Sequence, residues 1–408
     1  MRLDETACFG PAEILLPQGV DLSKWAVIAC DQFTSQPEYW QRAWELVGDA
    51  PSALRLILPE AELGPDEAAR IEEIHRCMDR YLTESLFRSF TGFVYVERCL
   101  LDGQIRPGLV GMVDLEQYDY HDAANAPIRA TEHTVEERIP PRKRIRNGAS
   151  LELPHALMLC DDERRSIIEP LAALKDSLPL LYDFELMQGG GRIRGWLVQG
   201  ELVRKIEAAL ADYDRRKGPG LLYAVGDGNH SLATAKSCWE ERKRELPPEQ
   251  WADCPARYAL AELENLLDPC QVFAPIHRIV KRCDTEALLR DVREALGGEG
   301  GGTVTWCCGT ESGELTLDSR LGHLPVGVLQ TFLDRWLEEH PGEIDYIHGD
   351  EALRRLSREK GCLGFLVPVI DKDSLFAGIS ADGVLPRKAF SMGHAEEKRY
   401  YLEARAIR

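Results

Sequence analysis

Leu221-Leu222-Tyr223-Ala224-Val225-Gly226-Asp227-Gly228-Asn229-His230-Ser231 is the stretch on which the fold and the chemistry of this chain turn. Five apolar or aromatic residues in a row read as a buried strand. Two glycines then permit close approach and unusual backbone angles. A helix is expected from about residue 231 to 244, ended by Pro247-Pro248. A strand feeding a tight loop that opens straight into a helix points free N–H groups and the positive end of the helix dipole at the loop mouth. Anions, phosphates above all, bind there. Asp227 has the chemistry to hold a magnesium ion or a substrate hydroxyl. Asn229 and His230 are able to donate to phosphate oxygens. The plainer alternative is an ordinary strand-to-helix turn capped by Asp227 or Asn229. The stretch is neither a Walker loop nor a dinucleotide fingerprint.

Outward from this stretch the chain reads as mixed α/β. Helices are expected over residues 36–47, 67–82, 162–176, 202–214 and 284–296. Strands are expected over 24–29, 91–101, 108–115 and 156–160, with a hairpin around Gln188-Gly189-Gly190-Gly191. Residues 134–150, with Pro140-Pro141 at their middle, read as an exposed or active-site loop. The length of 408 residues calls for more than one domain. We expect an N-terminal α/β segment to residue 120, a core over 121–285 and a C-terminal α/β segment from 286. A glycine-rich stretch follows at 297–302.

Composition removes several function classes. Net charge is −19, which disfavours nucleic acid as a partner. Basic residues concentrate once, at Arg138-Ile139-Pro140-Pro141-Arg142-Lys143-Arg144-Ile145-Arg146, five in nine. A basic loop in an acidic protein suits a lid over a triphosphate, or is simply a solvated charged loop. No apolar run is long enough to span a bilayer. The first residues, acidic and not followed by an apolar stretch, do not read as a signal peptide. A cytoplasmic location without membrane partners is the expectation. The twelve cysteines include no C-x-x-C pair, so they read as reduced buried thiols and not as a zinc site. Asp31-Gln32-Phe33 follows the first apolar stretch, at the kind of strand end where open α/β sheets place ligands.

The stretch 226–231 resembles the Asp-Gly-His-His-Arg motif of a family known as domain of unknown function 1015. Three other stretches resemble that family's segments in the right order: Ile128-Arg129-Ala130-Thr131-Glu132-His133-Thr134, Asp268-Pro269 with Pro275-Ile276-His277-Arg278, and Leu385-Pro386-Arg387-Lys388-Ala389-Phe390-Ser391. The family in turn resembles the ParB/sulfiredoxin superfamily, which includes free L-serine kinases. The resemblance implies a ParB/sulfiredoxin-like nucleotide-binding core, with Gly226, Gly228, Asn229 and Ser231 cradling phosphates. Glu132 would be a catalytic base, beside Asp227 and His230, and Asp227 the magnesium ligand. Where the family has arginine this chain has Ser231, and the motif's first histidine is Asn229. The cation must then come from elsewhere, with Arg142, Arg144, Arg278 and Lys388 as candidates. The implied activity is phosphoryl transfer from ATP or ADP, with Mg2+, to a small hydroxyl substrate such as free L-serine. The alternative is a nucleotide-binding switch or slow hydrolase without DNA binding. Sulfiredoxin-like chemistry needs a cysteine in the loop, which this chain lacks. A homodimer is compatible with the sequence.

Overall fold

The computed structural model describes residues 2–4, 6–64, 66–121, 125–386 and 388–408, with the side chains of Arg138 and Asp382 left out. The described residues form two compact units that interleave along the chain, where the sequence reading draws three consecutive segments. One comprises Met1–Ala130, Thr134–Gln271 and His394–Arg408; the other comprises Thr131–His133 and Val272–Gly393.

The first unit is built on an eleven-stranded mixed sheet. Its main path runs Leu180–Glu185, Arg192–Val198, Phe87–Cys99, Ile105–Asp114, Tyr258–Asn265, Ala156–Cys160, Tyr223–Asp227, Ile128–Ala130, Tyr118–Asp119. Successive side chains of a strand face opposite sides, and the strands here divide accordingly. Val94, Val96, Val110, Met112 and Leu260 enter one apolar core, with residues of the helices Pro37–Val47 and Glu67–Thr83. Phe93, Tyr95, Leu109, Val113 and Ala261 enter a second core on the other face, with the helices Glu201–Lys217 and Asn229–Glu245.

The strand Tyr258–Asn265 is buried along its whole length and carries two carboxylates, Glu262 and Glu264. They share the side of the strand that carries Leu260. Arg399 pairs with Glu262 at 2.6 Å and also with Glu403; Arg106 lies 2.9 Å from Glu264, which Gln271 also contacts at 2.6 Å. Burial, with Glu262 adding its own repulsion against the pull of Arg106, pushes the Glu264 carboxyl up to about 7. Residues 394–408 close this unit: Tyr400–Tyr401 pairs with Val27–Ile28, and Arg405–Ala406 with Leu151–Glu152.

The second unit is a six-stranded sheet, antiparallel at every pairing, in the order Glu311–Asp318, Gly300–Cys308, Leu363–Leu366, Phe273–Lys281, Glu343–His348, with Phe390–Met392 on the far end of Phe273–Lys281. The helix Thr285–Leu296 lays Leu288, Val292 and Leu296 inward, one turn apart, and Asp284 caps it by accepting from the N–H groups of Glu286 and Ala287. The glycines at 300–302 open a strand of this sheet.

Three expected elements differ. Residues 139–146 are a helix, not a loop: Pro140 and Pro141 fall in its first turn, where backbone N–H groups are not needed for the ladder. The helix expected from 162 begins only at Glu169, because the Asp162 carboxylate takes the N–H groups of Ser166 and Ile167 and holds the preceding residues in a loop. The strand expected over 24–29 shortens to Val27–Ile28 after a turn of helix, Leu22–Trp25. Among the described residues no helix is long and apolar enough to cross a membrane.

Candidate functional site

The decisive stretch folds as its pattern predicts, a strand Tyr223–Asp227 followed by a helix Asn229–Glu245. The strand pairs parallel with Ile128–Ala130 and antiparallel with Ala156–Cys160, where the register slips between Val225 and Asp227. Gly226 is therefore the bulge residue, and it keeps a negative φ or an extended backbone. Gly228 alone is left-handed, at φ 76°. A side chain there would meet the Cα of Ala156 at 2.8 Å. Gly228 O accepts the first helical hydrogen bond, from Leu232 N–H at 3.0 Å. The N–H groups of the first turn thus lie outside the helical ladder, at the dipole's positive end.

The side chains around the loop add acceptors. Asp227 Oδ1 accepts from Gly228 N–H at 3.0 Å. Its Oδ2 lies 3.4 Å from Lys398 Nζ without a hydrogen bond. The side-chain oxygen of Asn229 is likewise buried without a hydrogen-bond partner in the structure. Buried acceptors left open in this way call for an ion, a water or a ligand. His230 Nε2 accepts from Val135 N–H at 3.2 Å, so any proton the neutral ring carries sits on Nδ1. Lys398, from the C-terminal segment, is a cation that faces the Asp227 carboxylate.

A cavity of about 130 Å3 opens in the same unit, with Ser231 and Thr234 of the helix on its wall. Leu56, Leu58, Met78 and Leu151 are among its apolar lining; Cys30, His155, Tyr401, Arg142, Arg146 and Glu152 line its polar part. Of the candidate cations, Arg142 therefore shares a cavity with Ser231, while pairing with Glu60. Arg144 does not: it binds Glu67 at 2.6 Å at the surface. Lys143 holds Glu241, and Arg146 holds Glu152. Arg142, Lys143, Arg144 and Arg146 are thus paired off within their own unit and do not form the free lid their charge suggested. The side chain of Arg138, and Arg387 in the C-terminal motif, fall outside the described residues.

Glu132, Arg278 and Lys388 gather in the second unit. The two carboxylate oxygens of Glu132 accept from the N–H groups of Lys388 and Ala389, each at 3.0 Å. Burial raises the Glu132 carboxyl above its ordinary range, against these N–H groups and the charge of Arg278. Lys388 itself is left-handed, at φ 57°. Arg278 is fully buried, bonded to Gln330 at 2.9 Å and to Ile276 O; its guanidinium and the Lys388 ammonium both lie over the Tyr346 ring, at 5.3 and 5.0 Å. Arg278 and Lys388 therefore belong to this cluster, and neither is among the groups the first unit assembles around Asp227.

Sequence reasoning missed His155, Tyr401 and Cys30. His155 Nε2 lies 3.3 Å from Asp31 Oδ1, and its Nδ1 lies 2.8 Å from Tyr401 Oη. Burial opposes a charge on His155, but the Asp31 carboxylate outweighs it and holds the imidazole well above its ordinary value. Asp31 is held below its ordinary range, burial notwithstanding, by His155. Asp31 carried the one available signal, a polar residue directly after an apolar stretch.

For magnesium, the open oxygens of Asp227 and Asn229 are hard donors of the right kind. Lys398 faces the same carboxylate. Among the described residues no group of three or more His, Cys, Asp or Glu is arranged to hold a metal by itself.

No curated protein matches the sequence. Among solved structures, the chain is similar to SbnI with a C-terminal truncation from Staphylococcus aureus: 11% identity, 69% of this chain and 82% of that one, TM-score 0.36. It is similar to a free serine kinase in complex with AMP at 12% identity, covering 73% of this chain and 90% of that one, TM-score 0.37. A mutant free serine kinase in complex with ADP gives 11% identity, 73% and 91%, TM-score 0.37. Overlap at this level carries no argument about activity. The family model described as protein of unknown function (DUF1015) matches residues 15–405, and the chain belongs to that family.

Proposed function

We propose that the first unit binds a nucleotide through its phosphates at residues 226–231, and that the protein is a phosphotransferase acting on a small hydroxyl compound. The observation that carries the binding step is the loop itself. Left-handed Gly228 turns the chain from the strand that carries Asp227, its open oxygen 3.4 Å from the Lys398 ammonium, straight into a helix whose first residue, Asn229, has an open buried oxygen of its own. N–H groups and an ammonium suit phosphate oxygens. Asp227 and Asn229 would hold Mg2+ together with phosphate oxygens and water, and the ion would neutralise charge on the transferring group. Lys398 takes the part that the motif's arginine would play at Ser231.

In the transfer, the acceptor's hydroxyl oxygen forms a bond to the terminal phosphorus. The bond to the leaving nucleotide breaks, and the hydroxyl proton passes to a base. Glu132 is proposed for that base on the strength of the family motif, with free L-serine as the first acceptor to test and ATP and ADP as donors. One observation favours a second reading, nucleotide binding without transfer. Both Glu132 oxygens already accept backbone N–H groups, the arrangement of a carboxylate that anchors a loop.

Calorimetric titration with ATP, ADP and CTP, with and without Mg2+, tests binding; absence of heat with all three removes both readings. Phosphorus NMR of ATP or ADP with L-serine and related hydroxyl compounds tests transfer. Glu132→Gln is expected to lower the rate about a hundred-fold or more. Full activity in that variant removes Glu132 as base, and binding without product leaves the switch reading.

A further inference from the structure

Three side chains on the wall of the 130 Å3 cavity, Cys30, Tyr401 and His155, form a hydrogen-bonded chain, and Asp31 pairs with its far end without a hydrogen bond. Asp31 faces His155 Nε2 at 3.3 Å, and His155 Nδ1 meets Tyr401 Oη at 2.8 Å. Tyr401 Oη lies 3.2 Å from Cys30 Sγ and accepts from Cys30 N–H at 3.3 Å. Beside the Asp31 carboxylate, His155 carries both ring protons and donates to Tyr401. Burial, with the neighbouring Cys30 and Asp31, holds the Tyr401 hydroxyl well above its ordinary value, so it keeps its proton. Having accepted from His155 and from Cys30 N–H, Tyr401 has the Cys30 sulfur as recipient of its own proton. The Tyr401 O–H is thus aimed at the Cys30 sulfur, the atom that would attack a ligand in the cavity. Cys30 is half-buried on the cavity wall, whereas Cys8, Cys160 and Cys270 are buried.

We propose that Cys30 is a nucleophilic thiol, served by the Asp31–His155–Tyr401 chain, that adds to a small, mainly apolar activated alkene held in this cavity. The volume is close to that of an engineered cavity of about 150 Å3 that binds benzene, so the ligand has roughly six heavy atoms. Leu56, Leu58, Met78 and Leu151 suit its apolar body. In the step, sulfur bonds to the β-carbon of an α,β-unsaturated carbonyl. The π electrons move toward the carbonyl, and the Tyr401 proton passes to the α-carbon. The thiol proton passes to solvent as sulfur attacks, His155 reprotonates Tyr401, and His155 takes a proton back from solvent. The sum adds S and H across the double bond and leaves each relay group as it began. The proposal does not rest on the nucleotide reading, although Ser231 of that loop stands on the wall of the same cavity.

The test is competitive alkylation of the full chain by methyl vinyl ketone at pH 7, read per cysteine by peptide mass spectrometry. Cys30 is expected to react at least about ten-fold faster than Cys99 and Cys308, which are also half-buried. Tyr401→Phe is expected to slow Cys30 about ten-fold, the equivalent of one hydrogen bond to a charged group, and to leave Cys308 unchanged. Cys30 reacting no faster than Cys308 in the unaltered protein overturns the proposal whatever the variants do. An unchanged Cys30 rate in folded Tyr401→Phe overturns it as well.

Discussion

At Gly228 a methyl group would meet the Cα of Ala156 at 2.8 Å while φ stands at 76°. Both faults act on Gly228→Ala together, so the variant is expected to lose at least about 1–2 kcal/mol in urea unfolding and to show no heat with ADP. Unaltered stability would mean that the loop is softer than described. Lys398→Met tests the stand-in cation: ADP affinity is expected to fall about ten-fold, one charge-assisted contact, with little change in unfolding. At His155 the sign of the pH effect follows from a folded pKa raised above the unfolded value. The stabilisation is complete below about pH 6.5 and fades as pH rises through the folded value. The stability gap between the unaltered protein and His155→Gln should therefore narrow from pH 5.5 to pH 9.5 in urea titrations. A gap that does not change with pH would refute the ion pair with Asp31. The loop residues 226–231 were legible because strand, glycine and helix signals coincide within a few positions. The His155–Tyr401 contact was not, because its partners stand 246 residues apart and neither has a local signature.

Helices and strands with strong periodicity, such as Glu67–Thr83 and the pair Phe87–Cys99 and Ile105–Asp114, follow from the pattern of apolar residues. The helix Ile139–Arg146 does not, because two prolines read as a breaker unless their place in the first turn is known. The strand Tyr258–Asn265 is hard to read from its pattern for a related reason. Glu262 and Glu264 look solvent-directed until Arg106 and Arg399, from distant segments, are brought against them. That strand predicts a pH effect of its own. The Glu264 carboxyl, raised to about 7, contributes stability below its unfolded value that is lost as pH rises through 7. Glu264→Gln should flatten the stability profile between about pH 4.5 and 7, read by thermal melts across that range. In the second unit, Asp284→Ala removes two N-cap hydrogen bonds from the helix Thr285–Leu296 and is expected to cost about 1 kcal/mol in chemical unfolding.

On the scale of the molecule, composition and motif order were enough to fix the class and the family. Glu132 and Asp227 were read as one constellation from motif order. The structure lodges Glu132 among Lys388, Ala389 and Arg278, and Asp227 with Lys398, pairings that local sequence does not encode. The closure of the first unit by residues 394–408 bears on how the protein is made. Until those residues exist, Glu262 lacks Arg399, Glu152 lacks Arg405, and Val27–Ile28 lacks its strand partner. Val272–Gly393 and Thr131–His133, by contrast, are all translated earlier. The order of completion is then inverted: every strand of the first unit's eleven-stranded sheet exists once Asn265 is made, yet the partners of Glu262, Glu152 and Val27–Ile28 arrive only after the second unit has been translated, so buried carboxylates must wait for their cations while synthesis continues.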